Sequence, residues 1–140
     1  MSAKIDSTGS MNKSIVMLGD ILAIALLTLI GFASHGAAEL SFLPRMAALF
    51  FPLCISWFLL APALGLFDPE TVLDPRQLWR SGLAAFFAAT LAAILRGFLL
   101  GSPIIPIFAA VLAGVSALGV VIWRGLYLLW NLRNRRILRP

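Results

Sequence analysis

Hydrophobic residues along this chain neither alternate nor leave a polar helical face. They run on in four stretches of about 20 residues or more, separated by short segments that hold most of the charge. Such runs predict helices that meet apolar surroundings on every side, and their length matches the roughly 20 residues a helix needs to cross a hydrocarbon core. The expected fold is all-α, a four-helix bundle integral to a membrane.

Polar residues set the boundaries. Residues 1–14 are Ser-rich, carry Lys4, Asp6 and Lys13, and show no helical or strand period, which predicts a disordered tail. The first span, 15–35, is longer than a secretory signal core and no convincing A-x-A site follows it, so it is expected to stay as a helix. Ser41 can cap the second span, 44–66, with Pro44 in its first turn, and Pro52 inside it frees the Ala48 carbonyl and predicts a kink. The connection 67–77 holds two helix-start signals, Asp68-Pro69-Glu70 and Asp74-Pro75-Arg76-Gln77, the second with Gln77 placed for a capping box. A third span, 76–100, follows. After a tight turn at Gly101 and Ser102 comes the fourth, 103–130, which makes these two antiparallel neighbours. The last segment, 131–140, is a basic tail.

Composition removes the soluble alternatives. Of 140 residues, 61% are hydrophobic and 12% charged, where soluble domains carry about half and about a quarter; the mean hydropathy is +0.97. One cysteine, Cys54, and one histidine, His35, allow no intrachain disulfide and no metal-ligand spacing, so neither metal nor cofactor is expected. The net charge of +5 is informative by position. Lys4, Lys13, Arg76, Arg80 and the tail residues Arg133, Arg135, Arg136 and Arg139 fall on one side, and only Arg45 and Arg96 on the other, which predicts cytoplasmic N and C termini. Directly after a span, the arginine tail is expected to meet anionic lipid headgroups rather than nucleic acid.

Ionisable residues inside a span are costly unless paired or wetted. Asp20 lies about five residues inside the start of span one and Arg124 about six before the end of span four, so at 1.5 Å per residue both sit roughly 7–9 Å deep. Arg124 also falls on one helical face with Ala110, Gly114, Ala117 and Val121, and Asp20 on one with Leu27, Gly31 and His35. Small residues mark close helix approach, which predicts an intramembrane Asp20–Arg124 pair. A registry role is favoured over a catalytic one, because a buried pair can specify assembly without doing chemistry. In span three Ser81, Ala85, Ala88, Ala92 and Arg96 align, and in span two Arg45, Ala48, Pro52, Ser56 and Ala63. His35, Glu39, Arg45 and Arg96, all near the opposite membrane face, are expected to form a second polar cluster. Trp79, Trp123, Tyr127 and Trp130 read as an interfacial belt and Trp57 as packing. No G-x-S-x-G, phosphate-binding glycine loop or H-E-x-x-H occurs, and Asp68, Glu70 and Asp74 read as helix caps rather than a metal site.

The ordered pieces G-D-I-L-A-I (19–24), G-F-A-S-H-G (31–36), F-P-L-C-I-S-W-F-L-L-A-P (51–62), L-W-R (78–80), L-R-G-F-L-L-G-S-P-I-I-P-I-F (95–108) and W-R-G-L-Y (123–127) resemble a family of short four-helix bacterial and archaeal membrane proteins catalogued as a domain of unknown function. The resemblance spans about residues 15–130. It implies Asp20, His35, Pro62, Trp79, Arg80, Arg96, Pro106, Trp123 and Arg124 as motif positions without giving any a role. Where that family often carries a basic residue before S-H, Phe32 and Ala33 stand here.

A multi-pass protein of a prokaryotic plasma membrane is therefore expected. Three functions are open: a structural or accessory subunit, favoured because little lies outside the membrane; a small oligomeric transporter or channel using Asp20 or His35; and a membrane enzyme acting on a lipid or isoprenoid. The partners expected are the bilayer itself and a second copy or larger membrane complex.

Overall fold

The computed structural model describes residues 12–37 and 39–137, and among these it contains five α-helices and no strand. Four are long: α1 (Lys13–Ser34), α2 (Leu43–Ala63), α4 (Leu78–Leu100) and α5 (Pro106–Ile137), with a single short turn of helix, α3 (Pro69–Val72), between α2 and α4. Each long helix, with the one-turn 3₁₀ segments that lead into α2 and α4, is long and apolar enough to cross a membrane. They pack in a ring: α1 on α2, α2 on α4, α4 on α5, and α5 back on α1.

Local chemistry explains where the boundaries fall. Asn12 caps α1, its side chain accepting from the Ser14 amide at 3.1 Å, so the helix begins inside the segment expected to be a tail; Met1 to Met11 lie outside the described residues. Ser41 does not cap α2. It sits within a 3₁₀ turn, Leu40–Phe42, and the residue preceding α2 is Phe42, with no side-chain cap bond. Span two ends at Ala63, short of Leu66, because Gly65 takes a left-handed φ of +66° and closes the helix end. Of the two aspartates read as caps, Asp74 accepts from the Arg76 amide at 2.9 Å, whereas the Asp68 side chain makes no cap bond. Gln77 closes no capping box; its side chain accepts from Arg80 instead.

Pro103 does not begin α5. The helix starts at Pro106, and since a residue before proline avoids helical backbone, Ile105 stays outside the helix. At its far end α5 runs seven residues past Trp130 to Ile137. Asn131 bonds back to the Tyr127 carbonyl at 3.0 Å there, and the residues after it are mostly good helix formers.

The face that α4 turns to the interior is small-residue packing. Ala84, Ala85, Ala88, Ala89, Ala92 and Ala93 of α4 are all buried, which lets α2 and α5 approach it closely. Trp57, Leu53, Leu66 and Ile24 are buried with them, while rows of other large apolar side chains face outward: Leu18, Leu22 and Leu26 of α1, Phe51, Ile55 and Leu59 of α2, and Leu118, Ile122 and Leu126 of α5 are exposed.

Candidate functional site

The site is built around Asp20, which is fully buried. Its neighbour Gly19 makes room for it. A Cβ at Gly19 would stand 1.8 Å from the Trp123 ring, so the indole lies directly across the helix backbone, a position only glycine permits. From there Trp123 Nε1 donates to Asp20 Oδ1 at 3.0 Å, and from α2 Trp57 Nε1 donates to Oδ2 at 3.0 Å. Arg124 completes the set as a fork, Nε to Oδ1 at 3.2 Å and Nη2 to Oδ2 at 2.6 Å.

The guanidinium is held as firmly as the carboxylate. Its Nη1 donates to the Leu66 carbonyl at 2.5 Å, and its centre lies 5.3 Å from the ring centroids of both Trp57 and Phe67. Leu66 reaches that position because the turn at Gly65 hands its amide to the Ala61 carbonyl at 3.0 Å and folds the chain back under α2. Together Asp20, Trp57, Leu66, Trp123 and Arg124 tie α1, the end of α2 and α5 at one level.

This arrangement suits holding, not turnover. An ionised carboxylate offers about four lone-pair sites, and the four donors above occupy them, leaving none to accept a substrate proton or ligate a metal. Among the described residues no group of three or more His, Cys, Asp or Glu is placed to hold a metal ion. Trp57→Phe, which keeps one aromatic ring but removes the indole N–H and part of a buried side chain, is expected to lower stability by about 2–4 kcal/mol, seen as a lower melting temperature of the purified protein.

The helical phases differ from those read along the sequence. The buried side of α5 is Ala113, Ser116, Val120, Arg124 and Leu128, with Ala110 and Gly114 exposed; on α1 Asp20 shares its buried side with Ile24 and Thr28, while Gly31 and His35 are exposed. Trp123 and Tyr127 turn inward rather than joining a belt, and only Trp79 and Trp130 of that group are exposed. Trp57 is a donor as well as packing. In the sequence the indole donors leave only a faint signal, the need of a buried Trp N–H for an acceptor.

At the other end of the bundle, His35, Arg45 and Arg96 line one cavity of about 420 Å³, and Arg45 and Arg96 also line a second of about 450 Å³ beside the α4–α5 turn. Glu39 is exposed and pairs with neither arginine. The expected four-residue cluster is thus three residues around a cavity, without its acid. Among the described residues three buried polar atoms have no protein partner: Ser56 Oγ, Ser116 Oγ and Arg96 Nε.

Fold and site together define an all-helical chain with four long apolar helices, of which α1, α2 and α5 are tied at one end by a buried ion pair. The chain belongs to the family described as protein of unknown function (DUF3054), whose model matches residues 17–127, a stretch that includes both Asp20 and Arg124. No curated protein and no solved structure matches it.

Proposed function

We propose that this chain is a multi-pass protein of a prokaryotic plasma membrane, with both termini cytoplasmic, acting as a non-enzymatic structural or accessory subunit. One observation carries the membrane reading: unbroken rows of Leu, Ile and Phe lie exposed on the outside of α1, α2 and α5, in addition to the apolar core inside. Only hydrocarbon is a good solvent for such a surface. The saturated Asp20–Arg124 pair supports the non-enzymatic part, since its groups are committed to one another. A transport role through Asp20 would need room for a substrate at that carboxylate, and its acceptor positions are taken by four donors.

The orientation is supported by charge. The helical extension of α5 carries Arg133, Arg135 and Arg136 beyond the apolar span, at the end where α1 begins with Lys13, and anionic headgroups are their natural surroundings. Reporter fusions test it. Green fluorescent protein fused after Pro140 is expected to fluoresce, and alkaline phosphatase fused there to be inactive but active when inserted after Gly36. The opposite pattern, or recovery of the protein in the soluble fraction, would overturn the reading.

A further inference from the structure

We infer that the cavity of about 420 Å³ at the end of the bundle away from Asp20 holds one acyl chain of an anionic phospholipid, with the lipid phosphate bound by Arg45 and Arg96. The proposal rests on the membrane reading above. Its shape comes from how α1 meets α5. Toward Asp20 the two helices are closed on one another: Trp123 covers Gly19, and a Cβ at Gly119 would come 2.7 Å from Leu27. Further along α1, a Cβ at Gly31 would meet nothing within 4 Å, and the space beside it is the cavity.

Its walls are mostly apolar, and the charge is at one end. Leu49, Leu53, Leu112 and Val115 line the deeper part, interrupted by the Thr28 and Ser116 side chains, and Arg45 and Arg96 supply the charge. From Arg45 to Leu53 along α2 is eight residues, roughly 12 Å at 1.5 Å per residue. The volume lies in the range of about 300–1,000 Å³ typical of small-molecule sites. A chamber with cations at one end and aliphatic walls behind them is complementary to an anionic amphiphile, not to a free ion.

The cations are available. Among the described residues neither Arg45 nor Arg96 has a carboxylate within salt-bridge distance. Arg96 lies 5.0 Å from the Phe108 ring centroid, which steadies the guanidinium, and its Nε is buried without a protein partner. Two guanidinium groups lining one cavity repel each other unless an anion lies between them, and phosphate oxygens match the donor fork of arginine.

Native mass spectrometry of the full chain in dodecyl maltoside, titrated with phosphatidylglycerol or phosphatidylcholine of the same acyl chains, tests the proposal. Phosphatidylglycerol is expected to bind about tenfold or more tighter, and Arg45→Gln and Arg96→Gln each to weaken it by about tenfold, the worth of a hydrogen bond from a charged donor. Leu53→Trp, which fills the apolar end and leaves both arginines in place, is expected to weaken it as well. Arg45 is exposed, so its variant keeps the fold and the test stands even where Arg96→Gln does not. Equal binding of the two lipids would overturn the site. So would affinity that survives both arginine variants but is lost when the tail arginines become Gln, or glycerol phosphate competing as well as the whole lipid. Selective binding with failed fusions would leave the site and remove the orientation; correct fusions without selective binding would remove only the site.

Discussion

Asp20→Asn is expected to destabilise the protein by about 3–5 kcal/mol, the loss that follows when one member of a buried ion pair is removed and the other is left charged. Four donors converge on Asp20, two of them from Arg124. An amide offers one acceptor oxygen and turns an N–H₂ toward donors that have nothing to accept. Arg124 keeps its bond to the Leu66 carbonyl but loses its counter-charge at a site only 3% exposed. Since folded proteins are marginally stable, the variant should be depleted in cells and melt well below the parent in detergent. A melting temperature within a few degrees of the parent would show that the pair carries little of the fold.

Gly19→Ala is expected to be nearly as damaging, by about 2–5 kcal/mol, although alanine is the better helix former. The new methyl would stand 1.8 Å from the Trp123 ring, so the indole has to leave, and its hydrogen bond to Asp20 Oδ1 leaves with it. The cause is steric and therefore reversible. In a Trp123→Ala background the same Gly19→Ala change should stabilise, by up to about 1 kcal/mol, because only the helix propensity remains. Thermal melting of the two single variants and the double variant reads the change of sign directly.

The four long helices were legible because apolar length alone marks them, and their ends were less so because turn chemistry competes. Ser102-Pro103 reads as the start of the fourth helix, and the restriction that Pro106 places on Ile105 is what moves that start to Pro106. Asp20 and Arg124 could be read as partners from depth, since a buried charge has few ways to be satisfied and the structure places both at one level. Helical phase was not readable in the same way. Small residues surround α5 at Ala109, Ala110, Ala113, Gly114, Ser116 and Ala117, so a small-residue stripe can be drawn on more than one side. The rest of the site had fainter signals: Trp57 deep in a span needs an acceptor for its N–H, and a Gly-Asp step beside a Trp-Arg step fits an indole lying over a glycine. The Leu66 carbonyl carried no signal at all, because any residue supplies a carbonyl and only the turn at Gly65 aims this one.

A double-mutant cycle on Asp20 and Arg124 bears most directly on the lock that fastens α1 to α5. Exchanging the two residues is a poor version of it, because arginine at position 20 would face the N–H groups of Trp57 and Trp123. Neutralising both, as Asp20→Asn with Arg124→Gln, removes the charges together. The double variant is expected to be more stable than the two single losses added together would allow, with a coupling between the sites of about 1–3 kcal/mol in detergent melts. Single losses that simply add would contradict the pair as the fastening of the bundle.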